Sequence, residues 1–156
     1  MLHTVTLMDA FDQLVRNFIY RHFVDQGRPP SVEETALTLG ADIDQTRAAF
    51  EQLHRMHAIF LEPTTQEPQI RMANPFSAFP TRFRVRTLRQ SYWANCAWDM
   101  LGIPAALEAD ATIEAPCADC GEICFIQVSN DQVSSSGEIA HFAVPFRHWY
   151  DDLTFT

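Results

Sequence analysis

Two short segments hold the residues with the most chemical capacity. The first is Tyr92-Trp93-Ala94-Asn95-Cys96-Ala97-Trp98-Asp99, in which a thiol and a carboxyl stand three residues apart. On a helix that spacing puts both on one face, about one turn apart. A thiol is a soft ligand, suited to soft metals and poor for Mg or Ca. A carboxyl can carry a proton. Trp93 and Trp98 flank the pair and are expected to exclude water, which raises the Asp99 pKa and favours its protonated, donating form. A plainer reading stands beside this one: a Cys on an apolar helix face is commonly a small core residue, and Asp99 can simply pair with a nearby Arg.

The second segment is Cys117-Ala118-Asp119-Cys120-Gly121-Glu122-Ile123-Cys124, a C-x2-C-G knuckle followed by a third Cys. A knuckle of this kind is half of many zinc sites. No second C-x2-C follows, so a fourth ligand would come from Cys96, His141, His148 or a carboxylate. Three readings remain open: resting thiols, a zinc or other soft-metal site, or a thiol that acts with Cys96. The His residues show no ligand spacing, and His54, His57, His141 and His148 are read as ordinary side chains.

The elements that must position these groups follow from periodicity and caps. Residues 7–24 have apolar positions at helical spacing (Phe11, Leu14, Val15, Phe18, Ile19, Phe23), and Gly27-Arg28-Pro29-Pro30 stops them. Ser31 opens a second helix with a capping box, carrying Val32, Ala36, Leu37 and Leu39 up to Gly40. Asp42 caps a third, with Gln45 at the reciprocal position and Ala48, Ala49, Leu53 and Met56 on its apolar face. Residues 58–61 and 69–72 read as a small hairpin. Three helices and a hairpin over residues 1–80 predict a winged-helix-like region. Residues 74–80, rich in Pro and Phe, read as a linker. Residues 81–156 predict an α/β lobe with a mixed or antiparallel sheet, so the fold class is α+β. Its expected parts are a strand at 81–88, a short helix over 91–101 ended by Gly102 and Pro104, and strands at 111–115, 124–128 and 139–144. Residues 134–137 form the expected turn. In the first strand Arg82, Arg84 and Arg86 alternate with Phe83 and Val85, giving either a solvated basic face or an anion site.

Bulk properties exclude several functions. The chain has 156 residues and a net charge of −9, which opposes non-specific binding to nucleic acid or anionic lipid. The third helix carries Glu51 beside Arg47 and Arg55, a poor reading helix. All 11 basic residues are Arg, so a lysine Schiff base is excluded. No run approaches the ~20 apolar residues that span a bilayer, and Asp9 and Asp12 stand where a secretory signal would be basic or apolar. The expected location is cytoplasmic, with free thiols rather than structural disulfides.

The segment 92–99, followed by Leu101, Ile103-Pro104 and Ala105 to Leu107, resembles the reaction-centre helix of organomercurial (alkylmercury) lyases. Thr112 to Val128 with Cys117, and His141 to Trp149, are similar to later strands of that family. The resemblance implies that Cys96 is one of two thiolates that capture the mercury of R–Hg–X and that Asp99 delivers the proton to carbon. It implies no required cofactor, mercury as substrate and product ion, and a small organomercurial or other thiophilic molecule as partner. Cys120 and Cys124 depart from the family pattern and leave zinc as the alternative occupant of the cluster. The family's second catalytic cysteine aligns just past Thr156. The expectation is therefore a fragment, or a selenocysteine UGA codon read as stop, with an exposed sheet edge that favours self-association. The competing functions are a non-catalytic binder or sensor of soft metal ions and a winged-helix regulator.

Overall fold

The computed structural model describes residues 8–134, 137–142 and 144–149. Three polar residues start the first three helices. The Asp9 carboxylate accepts from the Asp12 N–H at 2.7 Å and opens α1 (Ala10–Gln26), which Gly27 closes in the left-handed region. Ser31 accepts from the Glu34 N–H while the Glu34 carboxylate accepts from the Ser31 N–H, so both halves of the capping box over α2 (Val32–Leu39) are present. Asp42 accepts from the Asp44 and Gln45 N–H groups and opens α3 (Ile43–Arg55).

These helices bury Val15, Ile19 and Phe23, then Val32 and Ala36, then Ala49, Phe50 and Leu53. Three expected inward residues face solvent: Leu14 is 48% exposed, Ala48 is exposed and Leu37 is 86% exposed. The phase of α3 is set by Thr46, Ala49, Phe50 and Leu53, which share one stripe at helical spacing. Replacing Ser31 with Ala is expected to destabilise this unit by about 1 kcal/mol, read as a lower urea midpoint with an unchanged slope.

A short antiparallel ribbon follows, with β1 (Phe60–Leu61) against β2 (Ile70–Ala73) and β2 against β3 (Phe76–Ser77). The third strand lies in the stretch read as a linker. Phe76 stacks on Phe23 with ring centroids 5.4 Å apart, and that burial holds the Pro-rich segment as a strand.

The chain divides into two compact units at the Pro80–Thr81 bond. In the second, the strands are β4 (Phe83–Thr87), β5 (Ser91–Ala94), β6 (Ala111–Pro116), β7 (Ile123–Ser129) and β8 (Gln132–Ser134), with α4 (Asp99–Leu107) between β5 and β6. The strand order is β5-β4-β6-β7-β8, and every one of these pairings is antiparallel. Register places Tyr92, Val85, Ile113 and Ile126 opposite one another across four strands, all buried. Alternate residues therefore form one apolar face. Helix α4 packs against β4 and β5 and buries Met100 and Ile103.

Three expectations for this unit are corrected. The helix predicted over 91–101 is a strand, a turn and then a helix. Tyr92 and Ala94 are buried and Trp93 lies between them half-buried, a period of two that pairs with β4. Gly102 and Pro104 do not end the helix but lie inside α4, which closes at Glu108 in the left-handed region. The described part of 139–144 carries no strand; Phe146–His148 is a 3-10 turn, and the Trp149 Nε1–H donates to the Val144 carbonyl at 2.8 Å. The strand at this point in the sheet is instead β8, formed by a two-residue turn in which Asn130 and Asp131 both take positive φ. That is the turn type whose twist matches a hairpin. The expected turn at 134–137 lies partly outside the described residues. Helices and antiparallel strands together make the fold α+β. No helix among the described residues is long and apolar enough to cross a membrane.

Candidate functional site

Cys96 sits in the turn that joins β5 to α4. Strand β5 holds Ala94 fully buried, and the Cys96 carbonyl accepts the first helical hydrogen bond, from the Met100 N–H at 3.0 Å. The thiol is thus fixed from both sides. Its Sγ lies 3.5 Å from Asp99 Oδ2, with the thiol donating and the backbone N–H groups of Trp98 and Asp99 directed at the sulfur. These are first-turn amides of α4, which otherwise lack intrahelical partners. Amides at a helix N-terminus favour a thiolate, but burial outweighs them and pushes the Cys96 thiol above its ordinary range. Burial also raises the Asp99 carboxyl; hydrogen bonds from the Asn95 side chain and from Cys96 oppose this only in part. Each group therefore keeps its proton to higher pH than it would in water.

The sequence expectation placed Cys96 and Asp99 together, and they are together, although the turn rather than a shared helix face brings them there. Trp98 does not cover them: it is 65% exposed. Trp93 is half-buried, and the Arg84 guanidinium lies 5.6 Å from its ring centroid. Arg86 pairs with Glu114 at 3.0 Å, so two of the three stripe arginines are engaged within the sheet. An open groove of about 330 Å³ lies over Arg86, Thr112, Glu114 and Gln127, and neither Cys96 nor Asp99 lines it. Asn95 was missed as a site residue. Its signal was local: a turn-favouring amide directly before the thiol.

The cysteine triplet separates into two parts. Residues 117–122 form the loop between β6 and β7, closed by the Cys117 N–H donating to the Glu122 carbonyl at 2.7 Å and the Gly121 N–H donating to the Cys117 carbonyl at 3.0 Å. Gly121 takes φ +77°, a conformation that a side chain would strain. Within this loop Cys120 and the Asp119 and Cys120 N–H groups surround the Cys117 sulfur and lower its pKa. Cys124 lies beyond the loop, on β7 opposite Ala115. Burial and the acidic and thiol groups around it raise its pKa. All four cysteines are free. Among the described residues no three His, Cys, Asp or Glu side chains converge to hold a metal ion. Cys96, Cys117, Cys120 and Cys124 are thus not one preformed site, and His141 and His148 do not complete it. Zinc, which takes four ligands in structural sites, does not fit the two thiols that the loop brings together.

Topology relates the two parts. Strands β5 and β6 both pair antiparallel with β4 and so run in the same direction. Cys96 follows β5 and Cys117 follows β6, which puts both at one end of the sheet, two strand spacings or roughly 10 Å apart laterally.

A soft sulfur ligand beside a half-buried carboxyl, set at a strand-to-helix turn, is chemically able to hold a thiophilic atom and to exchange a proton. The alkylmercury lyase (MerB) family matches residues 76–155, and the chain belongs to that family. Among solved structures, the mercury-bound form of MerB2 is similar in fold, with a TM-score of 0.66 and 21% identity over 82% of this chain. The chain spans 60% of the length of that protein. No curated protein matches the sequence.

Proposed function

We propose that the chain cleaves carbon–mercury bonds of small organomercurials by thiol capture and protonation of carbon. The observation that carries this reading is the 3.5 Å contact between the Cys96 thiol and the Asp99 carboxyl. When R–Hg–X meets Cys96, a sulfur–mercury bond forms and the thiol proton passes to the carboxyl it already touches. Sulfur donates electron density through mercury to carbon. Asp99 then gives the proton to that carbon, the carbon–mercury bond breaks, R–H leaves, and mercury(II) stays on sulfur with X. The balance needs one thiol and one proton, and no oxidant. Asn95 holds the carboxyl in place, and the α4 amides stabilise negative charge on sulfur once its proton has moved. A second soft ligand on mercury would strengthen the push onto carbon.

Incubating the chain with a phenylmercury salt tests the proposal, with benzene measured in the headspace and mercury measured on the protein. Benzene formed together with retained mercury supports it. Retained phenylmercury without benzene would leave a soft-metal binder and remove the lyase. Because burial raises both pKa values, benzene release is expected to persist into alkaline solution and to fall only above the ordinary thiol range, where the pair loses its last proton.

A further inference from the structure

We infer that Cys117 and Cys120 form a second, separate site that binds one two-coordinate soft cation such as mercury(II), outside the Cys96–Asp99 centre. The loop is built for two sulfurs. Its backbone closes on itself through the Cys117–Glu122 and Gly121–Cys117 hydrogen bonds, which fixes Cys117 relative to Cys120. The amides of Asp119 and Cys120 and the Cys120 thiol all act on the Cys117 sulfur, which places the two thiols side by side in the loop. Cys120 is exposed, so its side chain can turn to take a cation between the two sulfurs, and solvent reaches it without any opening of the fold.

The number of donors selects the cation. Thiolates favour soft ions, and among the described residues no third His, Cys, Asp or Glu completes the pair. Two sulfurs leave zinc short of its tetrahedral set but satisfy a soft d10 ion that prefers a linear pair. Binding from mercuric chloride forms two mercury–sulfur bonds, breaks two mercury–chloride bonds and releases the thiol protons to solvent, with no change of oxidation state. The second bond is intramolecular, at an effective concentration on the order of mM or above, so the pair should outcompete a free monothiol.

The test uses inorganic mercury, so its outcome is independent of whether Cys96 cleaves anything. The intact chain carrying Cys96→Ser is loaded with mercuric chloride, challenged with excess glutathione and weighed by native mass spectrometry. Retention of one mercury per chain is expected, with loss of that mercury on adding Cys120→Ser and no loss on adding Cys124→Ser. Cys120 is exposed, and a thermal melt confirms that its replacement leaves the fold intact. The inference is overturned if Cys96→Ser alone abolishes retention, if Cys120→Ser leaves it unchanged, if Cys124→Ser removes it, or if zinc is held equally well under the same challenge.

Discussion

Replacing Asp99 with Asn is expected to slow benzene release from phenylmercury by about 10²–10⁴-fold, the range for loss of a positioned proton donor, while mercury still attaches to Cys96. The amide keeps the shape and the contact with the thiol but cannot relay a proton. Cys96→Ser should instead remove both capture at this centre and cleavage. Stability separates a chemical loss from a structural one. Burial raises the Asp99 pKa, so the folded chain holds that proton more tightly than the unfolded chain does. The stabilisation is present below the unfolded pKa and is lost as pH rises toward the folded one. Above its raised folded pKa the carboxylate therefore carries a desolvation cost that Asn does not. The melting temperature of Asp99→Asn at pH 7 should equal or exceed that of the parent. A variant that loses activity because it unfolds would contradict the assignment, and so would one that keeps full activity.

Phe50→Ala is expected to destabilise the N-terminal unit by about 3–5 kcal/mol. Phe50 is fully buried on the stripe that α3 shares with Ala49 and Leu53. Truncation loses apolar contact and leaves a cavity that flanking helices refill only partly. Leu37→Ala is the control: that side chain is 86% exposed, and its change should stay within about ±0.5 kcal/mol. Denaturant unfolding of both variants measures the contrast. Similar midpoints would mean that the helices pack on a different face.

The helix starts were legible because a single side chain decides each one. Asp9, Ser31 and Asp42 need only satisfy local amides, and local chemistry is written in adjacent residues. The strand β5 was not legible as such. Tyr92, Trp93 and Ala94 are apolar enough for either a helix or a strand, and pairing with β4, a tertiary contact, chose the strand. Trp98 lies past that strand, at the start of α4, and is exposed rather than a cover for the site. Strand β8 could have been found from Asn130-Asp131, a turn pair flanked by Val128 and Val133. The proximity of Cys96 and Asp99 was legible on a helical argument that the fold does not use. The split of the cysteine triplet was not, because spacing alone cannot tell a loop position from a strand position opposite Ala115.

The turn between β5 and α4 has a consequence for how such a centre can vary. On a helix, partners three or four residues apart both meet, so an insertion of one residue is survivable. Here Cys96 is pinned on one side by the end of a paired strand and on the other by its own carbonyl, which receives the first bond of α4. One residue added or removed between Ala94 and Asp99 would rotate the carboxyl away from the sulfur while leaving both residues in the chain. The length of this turn is thus a stricter requirement than on a helix, and a chain with an altered interval here is expected to keep the fold but lose the contact between thiol and carboxyl.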